Sequence, residues 1–351
     1  MKWTLRLLLL LSINCGLLRS QDTVKVEANV PEQSAEKNYN SGLVEIGKNN
    51  FQGAVDLFSK CINQKPDFES AFCNRAVAYT HLKQYPEALS DINKAISINA
   101  KNPDAFFNKN LIFFGMHLAD SQSVALDRCL SLKPGHPEAL YFKGVLCFGN
   151  GDFDRAIDYY SGAIMAKPDY TYAYNDRASA KKAKKDYAGA IADYEKALTL
   201  DKSLVFVYNN LGTAYRLNKN RGKAIEAYSV AIEKDPSYLI ALNNRGATFF
   251  EGDDYKLAET DFETLLKKNP QSSFAYNNLA SIALKQKEYK KAKEMLSKSI
   301  QLDPANGAAY YNRGIASQML HDEEGSCADW KKAVELGVDG AKTLINASCT
   351  N

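Results

Sequence analysis

Scarcity narrows the reading first. Glycine and proline number only 20 and 10 in 351 residues, which excludes collagen-like and Pro/Gly-rich low-complexity chains. Neither sign of charge prevails. Lys2, Arg6 and Arg19 stand in the first twenty residues with no acid beside them, and removing those three from the 44 bases leaves a body that balances its 41 acids. A balanced body has no general electrostatic reason to bind nucleic acid or an anionic membrane. Long apolar runs are absent after about Leu18, so nothing later is expected to span a bilayer. Signatures of chemistry are absent as well. No Cys-x-x-Cys pair occurs, His81, His117, His136 and His321 fall in no ligand spacing, and there is no phosphate loop or nucleophile elbow. No metal, cofactor or catalytic residue is therefore expected.

What is present begins at the N-terminus. Lys2 and Arg6 precede Leu7-Leu8-Leu9-Leu10-Leu11, a charged region followed by an apolar one too short to cross a membrane. Residues 1–20 are read as a secretory signal peptide cut after Ser20, leaving Gln21 first and 21–34 as a linker. Cys15 offers a rival reading as a lipid anchor, although Ser12-Ile13-Asn14-Cys15 fits the bacterial lipobox poorly. The chain is expected to be exported, periplasmic or secreted. Export would place the other six cysteines where disulfides persist. Cys327 and Cys349 are expected to pair, because both fall in the last helices, where a staple would pin a fraying end. Cys61, Cys73, Cys129 and Cys147 read as small buried hydrophobes, with disulfides between neighbours as the alternative.

The dominant feature is a repeat. Pro66, Pro134, Pro168, Pro236, Pro270 and Pro304 are separated by multiples of 34 residues. With that column as position 32, nine repeats cover 35–340 without an insertion: 35–68, 69–102, 103–136, 137–170, 171–204, 205–238, 239–272, 273–306 and 307–340. Position 8 is Gly or Ala except at Asn110; position 20 is Ala except at Gln122 and Ser326; position 27 is small except at Leu265. Position 24 is bulky: Phe58, Tyr160, Tyr194, Tyr228, Phe262 and Trp330. Apolar and small residues recur at helical spacing over two stretches of about 13 residues per repeat, parted by segments such as Asn150-Gly151-Asp152. That is helix, tight turn, helix. Small residues at 8, 20 and 27 let helices approach, and proline at 32 belongs in a connector.

These columns resemble the tetratricopeptide repeat family, and the chain is similar to its exported bacterial members. The resemblance implies an all-α fold: a right-handed superhelix, an α-solenoid of nine helix-turn-helix repeats with a concave inner face. The segment from Leu336, with Ala341, Leu344 and Ile345 on one face, is expected to cap the last pair, 341–351 forming cap and tail. The third repeat departs most. Asn110 and Gln122 replace both small contacts and Gly115-Met116-His117 replaces the usual turn, so a looser pair is expected there.

Function is sought on the concave face, where solenoids bind. Positions 2, 5, 6 and 9 of the first helix share a stripe. Position 6 carries asparagine in seven repeats, Asn210, Asn244, Asn278 and Asn312 among them, and position 5 adds Asn175, Asn209, Asn243 and Asn277. An amide donates and accepts, so a row of them could hold the backbone of an extended peptide irrespective of its sequence. The row resembles the asparagine ladder in the repeat superhelix of the nucleocytoplasmic sugar-transferase. Lys182 and Arg216 at position 12 could meet an acidic group. Phe107, Tyr141 and Phe148 would give the other end an aromatic lining. The carboxylate clamp of chaperone-tail-binding relatives is missing, since Tyr39 and Leu43 stand in its first-repeat positions. The expected function is a non-catalytic scaffold that binds a protein or peptide partner. A cell-wall hydrolase of the exported helical-repeat type, or a chaperone-like holder of secretory clients, is the alternative.

Overall fold

The computed structural model describes residues 30–349, which form nineteen helices and no strand. Residues 1–29, with the expected signal peptide and Cys15, and 350–351 lie outside the described residues. Eighteen helices form nine consecutive pairs, an A helix at positions 1–13 and a B helix from position 17, as in Glu69–His81 with Tyr85–Ile98 and Val205–Leu217 with Arg221–Lys234. This is the expected solenoid of helix pairs. Two compact units divide between Ala180 and Lys181, inside the A helix of repeat 5, Thr171–Ala183. Repeats 1–4 lie in the first unit and 6–9 in the second. The first helix, Val30–Gly47, begins within the stretch expected as linker. Ser34 and Asn38 fasten that start by exchanging hydrogen bonds with Gln64 at 3.0 Å each.

All nine turns between A and B have one backbone form. Position 15 always adopts a left-handed φ: 59° at Asn49, 60° at Lys83 and His117, 79° at Gly151, 62° at His321. Its N–H returns to the carbonyl of position 12 and the next N–H to that of position 11, as in His117 to Phe114 at 3.1 Å and Leu118 to Phe113 at 3.0 Å. This closes the A helix by satisfying carbonyls that have no partner within it. Position 16 then starts helix B; Asn50, Asp152, Asp186, Asn220 and Asp322 each accept a hydrogen bond from the N–H three residues on. Gly115-Met116-His117 therefore makes the same turn as the other repeats, contrary to the sequence-based expectation. Position 15 tolerates non-glycine residues because a single residue in the left-handed region costs little beside two backbone hydrogen bonds.

In five repeats glycine at position 8 lets a ring at position 24 close on the backbone, and in repeat 5 Ala178 stands opposite Tyr194. A Cβ added to Gly144 would stand 2.6 Å from the Tyr160 ring, and one on Gly246 2.8 Å from Phe262, so glycine lets the ring lie on the backbone of helix A. Ala76 and Ala280 instead face the smaller Ile92 and Leu296 positions. Repeat 3 breaks the pattern. Asn110 is fully buried and neither its Oδ1 nor its Nδ2 has a partner. An orphaned buried amide costs roughly 1–3 kcal/mol, so repeat 3 departs in polarity; its helices Pro103–Gly115 and Ala119–Leu132 pack together as the other pairs do, not more loosely as expected.

A second pattern, unread in the sequence, ties three helices. Arg75 forks onto Asp91 at 2.6 and 2.8 Å and reaches Ser59 of the preceding repeat at 2.8 Å. Arg245 with Asp261 and Ser229, and Arg313 with Asp329 and Ser297, repeat it. The carboxylates are buried, so the paired charges hold each other. Repeats 6 and 8 substitute Leu211 with Ala227 and Leu279 with Met295, removing both charges together.

At the C-terminus, Leu336 ends the last B helix, and Gly337 at φ 87° turns the chain away. The cap helix is therefore Ala341–Ser348, shorter than a helix from Leu336. Ala341, Leu344 and Ile345 cover Trp330 and Ala333. A disulfide joins Cys327 to Cys349 with their Cα atoms 5.7 Å apart. Cys61, Cys73 and Cys129 are buried free thiols, and Cys147 is a half-buried one.

Candidate functional site: the A-helix face

Positions 5 and 6 meet across successive repeats. In the second unit Asn244 Nδ2 donates to Asn209 Oδ1 at 2.9 Å, Asn278 to Asn243 at 3.0 Å, and Asn312 to Asn277 at 3.2 Å. Each spans 35 residues, from position 6 of one repeat back to position 5 of the one before. The amides thus pair first with each other. The expected row is therefore also a structural seam: closely packed A helices bring two amides together, and a half-buried amide left single would cost stability. Capacity remains. Asn209, Asn243 and Asn277 keep their two N–H donors beyond the oxygen used here, and Asn244, Asn278 and Asn312 keep their oxygen.

The first unit builds the same seam from other groups. Asn74 donates to the Tyr39 hydroxyl at 3.0 Å, the rings of Phe107 and Phe142 meet edge-on at 5.7 Å, and the Tyr141 hydroxyl donates to Asp176 at 2.6 Å. Asn175 donates to the other Asp176 oxygen at 2.7 Å. Burial raises the Asp176 carboxyl above the usual aspartate range, against the lowering effect of these two donors.

Phe107 is 0% exposed and Tyr141 1%, so neither lines a binding surface. They sit in one core with Leu126, Tyr160 and Tyr170, because position 5 of the first unit turns toward the next repeat. The aromatic lining expected there is interior. Phe148 alone of the three reaches the surface, 36% exposed and edge-on to Phe153 at 5.4 Å. Asn175 and Asn209 are buried, and Asn210, Asn243, Asn244, Asn277, Asn278 and Asn312 half-buried. Arg216 already holds an acid, its Nη1 2.6 Å from Glu251 of repeat 7, while its Nε is buried with no partner. Among the described residues Lys182 has no carboxylate at ion-pair distance; its ammonium lies 6.0 Å from the Tyr194 ring centroid.

Sequence reasoning missed position 2. Ile240 is 54% and Phe274 63% exposed, in adjacent repeats and beside the amide seam. In the first unit the same position is Glu36, Ser70, Asp104 and Glu138. There Asp104 meets the buried His136 at 3.0 Å, and Glu138 meets it at 3.4 Å and Lys167 at 3.9 Å. The switch from polar to apolar residues at one column was a readable signal. Among the described residues no group of three or more His, Cys, Asp or Glu could hold a metal ion, and no helix is long and apolar enough to cross a membrane.

Comparison with known proteins gives the class first: a repeat solenoid of the kind that serves as an interaction scaffold. Tetratricopeptide repeat models match residues 70–102, 123–171, 207–238 and 273–306, and a TPR repeat model matches 178–219. The chain belongs to the tetratricopeptide repeat family. It is similar to the Saccharomyces cerevisiae "Small glutamine-rich tetratricopeptide repeat-containing protein 2", 30% identical over 87 residues, 23% of this chain and 25% of that protein. The yeast "Hsp70/Hsp90 co-chaperone CNS1" is also 30% identical, over 100 residues, 27% of this chain and 26% of that one. The chain therefore matches about a quarter of the length of these curated relatives. A tetratricopeptide repeat protein from Parabacteroides merdae shares the fold with TM-score 0.60 at 17% identity, over 71% of this chain and 99% of that one.

Proposed function

We propose that this protein is a non-catalytic scaffold that binds an extended peptide segment across the A-helix face of repeats 6–9. The observation that carries this reading is the exposure of Ile240 and Phe274 in adjacent repeats, alongside amides whose inter-repeat pairing leaves donors and acceptors unused. Apolar side chains of the partner would cover the two exposed residues. The spare hydrogen-bonding capacity of Asn243, Asn244, Asn277 and Asn278 would hold its backbone. Large exposed apolar side chains grouped on a monomer's surface commonly mark an interaction site. The same reading makes the chain exported, supported by the charged-then-apolar first twenty residues and by the cross-link between Cys327 and Cys349. An N-terminus other than Gln21 in native envelope or medium fractions would overturn cleavage after Ser20.

The binding test uses peptides selected from a random twelve-residue phage library against the full mature chain. Ile240→Ser with Phe274→Ser should weaken the selected peptides at least about tenfold, the effect of 1.4 kcal/mol, within what two lost apolar contacts supply. Melting should stay unchanged, because both side chains are exposed. Undiminished binding by the double variant, or no selected peptide at all, refutes the reading.

A further inference from the structure

In the second unit, position 12 of repeat 6 meets position 13 of the following repeat. Arg216 of repeat 6 receives the carboxylate of Glu251 from repeat 7. One repeat earlier, the corresponding pair is Lys182 and Leu217. Leu217 supplies no charge and is 38% exposed. Lys182 is half-buried, and among the described residues it has no ion-pair partner, its ammonium lying 6.0 Å from the Tyr194 ring. Its neighbour Lys181 by contrast holds Asp193 at 2.8 Å. Burial alone pushes the Lys182 ammonium below the usual lysine range, with no acid to counter it. A partly desolvated cation without an anion is costly, and here the carboxylate that the adjacent repeat supplies is missing by one residue's identity.

We propose that Lys182 is the anchor for an aspartate or glutamate side chain of the bound segment, which sits where Glu251 sits beside Arg216, with its flanking aliphatic carbons against Leu217. This rests on the peptide-binding reading above and adds the chemistry of the ligand. It also sets the spacing. Position 12 lies ten residues along the A helix from position 2, about 15 Å at 1.5 Å per residue. Two repeats at 8–10 Å between neighbouring helices add roughly 20 Å in the other direction. An extended chain crossing that diagonal of about 25 Å from Lys182 to Ile240 needs roughly eight residues at 3.3 Å each. The partner is thus an acidic-apolar segment: one carboxylate side chain, then an aliphatic or aromatic residue about eight positions away. The seam amides lie between.

Two variants isolate the anchor. Lys182→Met keeps the stem and removes the charge. Leu217→Glu restores in cis the carboxylate that repeat 7 gives Arg216, and so occupies Lys182 without deleting it. The random twelve-residue library selected on wild type should be enriched in Asp or Glu six to ten residues from Leu, Ile or Phe. Selection on either variant should lose the acidic preference and keep the apolar one. For one labelled peptide, replacing its acid by the amide should weaken wild type about tenfold and either variant less than about twofold, the coupling of a partly desolvated charge pair. Acid enrichment that survives both variants, or its absence from the wild-type selection, overturns the anchor while leaving the apolar reading standing. A library that yields no binder overturns both.

Discussion

The two units solve the same joint with different chemistry. Where one A helix meets the next, the first unit uses Phe107 against Phe142 and Tyr141 against Asp176, and the second uses Asn209 against Asn244, Asn243 against Asn278, and Asn277 against Asn312. Position 2 changes with it. Beside the ring-based joint stand Asp104 and Glu138, engaged with His136; beside the amide joint stand Ile240 and Phe274, engaged with nothing that covers them. The lesson is one of division of labour. A joint sealed by buried rings has no hydrogen-bonding capacity left for a partner, and its flank is polar. A joint sealed by amides keeps donors and acceptors at the surface, and its flank offers apolar contact. The proposed binding surface lies where the joint is less apolar.

The largest expected effect breaks the comparison at position 5. Phe107 is fully buried among Leu126, Tyr141 and Phe142, so Phe107→Ala removes a ring and leaves a cavity, costing about 3–5 kcal/mol. Asn243→Ala, at the same position of repeat 7, removes the acceptor for Asn278 and should cost only about 1 kcal/mol. Denaturant midpoints of the two variants would show it; equal losses would mean the seams are energetically alike and the contrast between units is one of residue names. Peptide binding should respond in the opposite order, because Asn243 borders the proposed groove and Phe107 does not reach it.

Much of the fold was legible because the 34-residue period records packing directly. Glycine at position 8 leaves room for a ring such as Tyr160 on the backbone, so the small column and its bulky counterpart at 24 can be read from the sequence. The candidate site was less legible for a physical reason. Position 5 of Tyr141 and position 5 of Asn243 follow the same helical period, and periodicity gives the face of a helix but not how far a neighbour overlaps it. That overlap buries Tyr141 and makes Asn278 spend a donor on Asn243. Pairing between repeats also hid the Arg245, Asp261 and Ser229 clip, whose members are 16 residues apart in each direction and become a unit only when helices A, B and the previous B are stacked. The cap was read one turn too long because Leu336 continues the apolar pattern that Gly337 ends.

The smallest expected effect sharpens the comparison where the ring-based seam borrows a carboxyl. Every other polar residue at position 6 is an asparagine, but Asp176, half-buried, accepts from Tyr141 and Asn175, and desolvation raises its pKa above the ordinary aspartate value. A raised folded-state pKa means that the native protein binds this proton more tightly than the unfolded chain does. The contribution of Asp176 to stability is therefore fully present below the unfolded-state pKa and is lost as pH rises through the folded-state one. Asp176→Asn removes the titration and supplies the amide that the second unit uses. Its melting temperature should exceed that of wild type at pH 7, and the gap should close as pH falls toward the aspartate range. Tyr141→Phe acts in the other sense: it deletes the donor that favours the ionised carboxyl and raises the folded-state pKa further, so the loss of stability starts from the same unfolded-state pKa, runs on to higher pH and is larger in total. Melting curves of the three proteins across pH 4–8 separate these outcomes. A constant gap between wild type and Asp176→Asn would mean that the carboxyl keeps its charge throughout, and that the phenol and amide beside it outweigh burial.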